Sequence, residues 1–183
     1  MGPVSVSYRH NLLLARYIPV RDLGYADPVT TTTPDPGTDD DEIVTWWGLV
    51  IEGYLATQDK LMGEIAERFG LAPASFDILI RLVRSPDHRM PMTRLAGEAA
   101  LSSGGFTKVA DRLVAADLIC RVPSPDDRRV TFAELTEHGL EVANRAREAC
   151  AEILRRTVLS PLGPDASRSL AEAMRTLREV NKA

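Results

Sequence analysis

Apolar positions recur with a helical period through most of the chain, and one short stretch switches to the period of a strand. From Asp41 to Phe69, the residues Ile43, Trp47, Val50, Tyr54, Leu61, Ile65 and Phe69 follow one another at three, four or seven, which predicts one long amphipathic helix. Acidic Asp39, Asp40 and Asp41 stand where they cap its start and complement its dipole, and Gly70 supplies the stop. Trp46, Leu49 and Gly53 widen the apolar face beyond what one neighbour covers, so a second contact, such as a partner subunit, is expected. Pro73 opens a further helix through Phe76, Leu79, Ile80, Leu82 and Val83, ended by Ser85 and Pro86.

Between Met90 and Leu135 the pattern changes character twice. A short helix, Thr93 to Glu98, buries Leu95 and Ala96 with Thr93 at its cap, and a turn follows from Ala99 to Ser102. Small Gly97, Ala99 and Ala100 allow close approach of a second helix, Ser103 to Ala116. In that helix Phe106, Val109, Ala110 and Leu113 make an apolar face, while Thr107, Lys108, Asp111 and Arg112 look elsewhere. After Leu118 the period becomes two. Ile119 and Arg121 alternate with Cys120 and Val122, and Val130, Phe132 and Leu135 form a second strand beyond the turn Pro123–Arg129. The architecture predicted is mainly α with a small β-wing, a winged helix-turn-helix.

After the wing, Thr136 is placed to cap a helix carrying Leu140, Ala143, Ala146, Cys150, Ile153, Leu154 and Val158. Ser160, Pro161, Gly163 and Pro164 predict a break, and Pro164 with Asp165 starts a last helix bearing Leu170, Ala173, Met174, Leu177 and Val180. The N- and C-terminal helices carry more apolar surface than one copy can bury, which predicts a two-fold homodimer. The expected divisions are an N-terminal extension at 1–40, with an acidic Thr/Pro-rich linker at 27–41, a dimerisation helix at 41–70, a winged lobe at 71–135 and C-terminal dimerisation helices at 136–183. Residues 1–26 fit a short strand or two helical turns equally well, and the extension reads either as a tail or as an arm packed on the partner subunit.

The run LSSGGFTKVADRLVAADLICRVPSPDDRRVTFAELTEHG, Leu101 to Gly139, resembles the recognition helix and wing of the multiple-antibiotic-resistance regulator (MarR) family of winged helix-turn-helix transcription factors. The preceding LAPASFDILIRLVRSPDHRMPMTRLAGEAA, Leu71 to Ala100, matches the same family in spacing, and the likeness runs from about Asp41 to the C-terminus. Where relatives often carry an arginine and a serine, this chain has Ser103 and Gly104, and Lys108 replaces a usual arginine. The resemblance implies a dimeric regulator, a repressor at an inverted-repeat operator in double-stranded DNA, released by a small aromatic or phenolic effector. It also implies that Arg129 enters the minor groove while Asp127 shapes the wing by pairing with an arginine. Trp46, Trp47, Tyr54, Phe76, Asp77, Arg81 and His88 are the candidate lining of an effector crevice, against the alternative that they are core.

The residues carry a DNA-contact reading of their own. Ser102 and Ser103 stand at a helix N-terminus, where hydroxyls and backbone N–H groups suit a phosphate. Gly105, Thr107 and Lys108 follow on the same helix toward base edges, Arg112 reaches for a phosphate or pairs with Asp111 or Glu98, and Arg128 with Arg129 forms a basic hairpin tip. The net charge of −4 lies wholly in the first 45 residues, which hold three basic and seven acidic side chains; the remainder carries 19 of each. A neutral body leaves specificity to local geometry rather than bulk charge.

Composition excludes more than it selects. No apolar run reaches the ~20 residues of a membrane span, so a cytoplasmic protein without membrane contact is expected. Neither His10, His88 and His138 nor any phosphate loop, HExxH or GxSxG pattern points to catalysis, metal or cofactor. Cys120 and Cys150 lack metal-ligand or CxxC spacing. Two alternatives stay open: a redox-sensing repressor using Cys120 or Cys150, and a winged-helix module that docks proteins rather than DNA, suggested by the neutral body and by Ser103 and Gly104.

Overall fold

The computed structural model describes residues 39–99, 101, 103–127 and 129–181, and the expectations for the N-terminal extension fall outside them. Two compact units are present, one running through Gln58 and the other from Asp59 onward. Helix α1, Asp40–Phe69, contributes to both. Its first turn holds Asp40, Asp41 and Glu42 beside the helix N-terminus, and the Asp39 carbonyl accepts from the N–H groups of Glu42 and Ile43 at 3.0 and 3.1 Å. In the first unit Ile43, Trp46, Trp47, Leu49 and Ile51 are exposed. In the second, Leu61, Met62 and Ile65 are buried. Gly70, with φ of +65°, closes the helix in the left-handed conformation that glycine adopts at no steric cost.

The second unit is organised around α2, Pro73–Arg84. Phe76, Asp77, Ile78, Leu79, Ile80 and Leu82 are all buried, so this helix is covered on nearly every side, by two later helices and the sheet. Proline at its first turn and Ser85 before Pro86 set its limits. A 3-10 turn, Pro86–His88, leads to β1, Arg89–Pro91. The sheet has three antiparallel strands in the order β1-β3-β2, with β2 at Ile119–Pro123 and β3 at Thr131–Leu135. The periodicity predicts β2 and β3 only; β1 is three residues long and ends in proline, too short to show a period and tolerated because it lies at an edge.

Helix α3, Met92–Glu98, starts one residue earlier than expected, with Pro91 at the cap position and no side-chain cap. Thr93 therefore lies inside the first turn and does not cap it. Gly97 is exposed, and a Cβ added there meets nothing within 4 Å, so it is not what lets α3 and α4 approach; Ala99, in the turn after α3, is buried at 1% exposure. Helix α4, Ser103–Ala115, buries Phe106, Ala110 and Leu113 as its pattern predicts.

Helix α5, Glu137–Leu154, is capped by Thr136, whose hydroxyl accepts from the Gly139 N–H at 2.8 Å. Its buried face is small, with Ala143, Ala146 and Ala149 before Ile153, and packs against α2. The break expected from Ser160 onward is narrower than predicted. Helical backbone continues through a π turn, Arg155–Leu159, into α6, Ser160–Val180, and only Gly163 is non-helical, at φ 76° and ψ 167°. The Ser160 N–H reaches back five residues to the Arg155 carbonyl, and this wide turn gives room for the Pro161 ring that a regular turn lacks.

Within the second unit the last turns of α1 are tied to α5 and the π turn by charge. Arg68 donates to Glu152 at 3.0 Å, and Arg156 donates to both oxygens of Glu64 at 2.6 and 2.8 Å. The Arg145 guanidinium stands 6.0 Å above the Phe69 ring. No helix among the described residues is long and apolar enough to cross a membrane.

Candidate nucleic-acid interface

Burial of Phe106, Ala110 and Leu113 turns the opposite face of α4 outward, so Gly104, Thr107, Lys108, Asp111 and Arg112 are exposed and Gly105 is half-buried. The helix thus presents hydroxyl, ammonium and guanidinium donors in one row, the chemistry that reads base edges and phosphates. Asp111 is the exception in charge, and it is occupied: Arg121 of β2 donates to its carboxylate at 2.6 Å. That pair joins the polar face of α4 to the root of the wing. Glu98, the other acid considered for Arg112, takes Arg81 and Arg94 instead, at 3.2 and 2.8 Å.

The wing loop is shaped by its own short side chains. Ser124 and Val130 close it, the Ser124 N–H donating to the Val130 carbonyl at 2.9 Å, and the Val130 N–H donates to the Asp127 carbonyl at the same distance. The Ser124 hydroxyl accepts from the N–H groups of Asp126 and Asp127 at 3.3 and 3.4 Å. One Asp127 carboxylate oxygen accepts from the Arg129 N–H at 2.9 Å, the local turn that short acidic side chains make with the backbone two residues on. Among the described residues the Asp127 carboxylate thus holds the loop through a backbone contact. The Arg129 side chain is left exposed. Ser102 and Arg128 lie outside the described residues, and only the backbone of Ser103 is within them.

Behind the interface, the turn from α4 into β2 is anchored to the start of α5. Asp117 adopts a left-handed φ of 55°, and its carbonyl accepts from the Thr136 hydroxyl at 2.6 Å. The Thr136 N–H donates to the Leu118 carbonyl at 3.3 Å. Gly139 lies against that same carbonyl, and a Cβ built on it meets the Leu118 oxygen at 1.8 Å. Only glycine fits there. Sequence reasoning sees the Thr136 cap but misses Ser124, Asp117 and the packing role of Gly139; the motif LTEHG and the Ser-Pro-Asp-Asp turn were the available signals.

The sequence model of the MarR family matches residues 69–130, which span α2 through the wing. Among characterised relatives, the HTH-type transcriptional regulator MhqR of Bacillus subtilis is 37% identical over 91 residues, half of this chain and 61% of that protein. The chain spans about three fifths of the length of the curated relatives it matches. Among solved structures, the MarR-family regulator AbsC of Streptomyces coelicolor superposes with a TM-score of 0.68 at 29% identity, covering 78% of this chain and 95% of that one. Sco3205 from the same organism, a MarR-family regulator solved in complex with DNA, gives 0.70 at 28% identity over 80% of this chain and 91% of its own.

Residues 69–130 match the MarR family, and the fold around them is that of solved MarR-family regulators. The winged helix is shared with these MarR-family structures, and the similar proteins named are transcriptional regulators.

The remaining candidate residues divide sharply. Trp46 and Trp47 are 52% and 54% exposed on α1 in the first unit, with Tyr54 half-buried there. In the second unit Phe76 is core. Asp77 is fully buried and receives Arg81 at 2.9 Å. Burial pushes the Asp77 carboxyl above its usual range, against the opposing pull of the Arg81 hydrogen bond and charge. His88 is half-buried with Nδ1 3.1 Å from the Val83 carbonyl. Phe76 thus follows the core alternative. Both cysteines are free thiols, and burial raises the Cys150 thiol, with Arg84 opposing, so its reactive thiolate is scarcer than in a free cysteine. Among the described residues no cluster of His, Cys, Asp or Glu suits a metal ion.

Proposed function

We propose that this chain is a DNA-binding transcriptional regulator that acts as a homodimer on an inverted-repeat operator. One observation carries the reading: the exposed Thr107, Lys108 and Arg112 of α4 stand on the helix that Arg121 ties to a wing whose Arg129 side chain is exposed. Likeness to Sco3205, solved with DNA, supports it. In this reading α4 lies in a major groove and the wing arginine addresses the adjacent minor groove or its phosphates. Ser102, Ser103, Gly105 and Arg128 complete the contact set. Exposed apolar side chains on the first half of α1 and on α6, among them Trp46, Leu49, Leu170 and Leu177, support dimerisation helices at 41–70 and 136–183 on either side of a winged lobe at 71–135. Repression relieved by a small aromatic or phenolic effector completes the proposal; a ligand that prefers the released geometry a hundredfold supplies about 2.7 kcal/mol for it.

The test is binding to the promoter upstream of its own gene across a salt series, on a preparation sized by light scattering at twice the chain mass. Arg129→Ala should weaken binding and reduce the slope of log affinity against log salt by about one, because one fewer phosphate is neutralised. Unchanged affinity and slope reject the wing's role, and no preference for that promoter rejects the function.

A further inference from the structure

Helix α3 is seven residues long and fully buries one side chain, Leu95. So little apolar anchoring leaves a short helix free to roll or tilt, yet α3 sets the point from which α4 departs. What restrains its far end is charge. Arg81 of α2 donates through Nε to Asp77 at 2.9 Å and through Nη1 to Glu98 at 3.2 Å. Glu98 is the last residue of α3, and its second oxygen accepts from Arg94 at 2.8 Å. Arg81 is 10% exposed and Asp77 1%, against 34% for Glu98, so the guanidinium runs from the core to the lobe's surface and joins a carboxylate at each end. A planar fork with fixed donor directions holds two acceptors at a set angle, which a lysine cannot do. Asp77 is the one charged side chain buried among the described residues, and it fixes the inner end of that fork.

We infer that Arg81 is a positioning residue for DNA reading: by bridging Asp77 in α2 to Glu98 at the end of α3, it sets the angle at which α4 meets the groove. The inference rests on the DNA-binding reading above and adds a determinant that touches no DNA. It also separates the two ends of the bridge. Glu98 matters for orientation alone, because Asp77 and Arg81 stay paired without it.

Glu98→Ala and Glu98→Gln are compared with wild type for affinity to the promoter fragment and to a scrambled duplex of equal length, with melting midpoints measured alongside. Loss of a negative charge beside DNA strengthens binding to every duplex if electrostatics alone is at work. Mis-set reading geometry does the reverse for the promoter only. Glu98→Ala should bind the promoter on the order of tenfold more weakly, the scale on which one misread base pair acts, with scrambled-duplex affinity undiminished and the midpoint near wild type. Glu98→Gln, whose amide oxygen still accepts from Arg81, should recover most of the loss. The double variant Asp77→Leu/Arg81→Met removes the buried carboxylate and its partner together, a change that keeps stability in other proteins; it should melt near wild type and still lose promoter preference. Equal or stronger promoter binding by Glu98→Ala, or full preference in the double variant, overturns the positioning role. Wild type without any promoter preference overturns the DNA-binding reading itself, a distinct outcome.

Discussion

Gly139→Ala is the sharpest test of how this fold holds its reading head. The added methyl would meet the Leu118 carbonyl oxygen at 1.8 Å and its carbon at 2.6 Å, both backbone atoms that no rotamer can move. Restoring an ordinary van der Waals separation drives the start of α5 away from the α4–β2 turn. Three hydrogen bonds cross that junction or cap it: Gly139 N–H to Thr136 Oγ1 at 2.8 Å, Thr136 Oγ1 to the Asp117 carbonyl at 2.6 Å, and Thr136 N–H to the Leu118 carbonyl at 3.3 Å. At about 1 kcal/mol net for each bond, breaking them removes about 3 kcal/mol. Residual overpacking adds about 1–3 kcal/mol, and the better helix propensity of alanine returns about 1 kcal/mol. A net destabilisation of about 3–5 kcal/mol follows, which lowers the melting midpoint of a chain this size by about 10 °C. The control is Gly97→Ala in α3, where the new Cβ meets nothing within 4 Å; there the change should stabilise by up to about 1 kcal/mol. Urea titration of both variants measures the pair. Gly139→Ala within about 0.5 kcal/mol of wild type, the range of a neutral surface change, refutes the close approach.

Two further outcomes follow from the charges. Because burial raises the Asp77 carboxyl, the folded chain takes up that proton before the unfolded chain does as pH falls. Wild type should therefore gain stability relative to Asp77→Asn as pH drops from above the raised value toward the usual carboxylate value of about 3.9, and the difference should be flat at higher pH. Glu152, held below its usual value by the hydrogen bond from Arg68, contributes the opposite trend, but it is common to both proteins and cancels. Denaturant unfolding from about pH 3.5 to about pH 7 reads the difference, and a relative loss for wild type on acidification contradicts the burial account. Asp127→Ala should leave global stability within about 0.5 kcal/mol, since the residue is exposed, yet weaken promoter binding several-fold by freeing the Arg129 N–H it holds at 2.9 Å; electrophoretic mobility shifts measure it, and unchanged binding rejects a wing shaped by that bond.

Periodicity and end signals located α2, α4 and α5, and the inward turn of Phe106, Ala110 and Leu113 follows from local spacing because α4 buries one stripe of its own residues. The outward polar row of α4 and the β2–β3 hairpin were legible for the same reason. What tertiary structure decided involves partners distant in sequence. Strand β1 exists only because β3 offers it an edge, Gly139 is required only because the Leu118 carbonyl arrives beside it, and Arg81 bridges two carboxylates only because Glu98 of α3 reaches it. Stripes record which way a segment faces; which atoms it then meets depends on chain folding over it, and no local pattern carries that information.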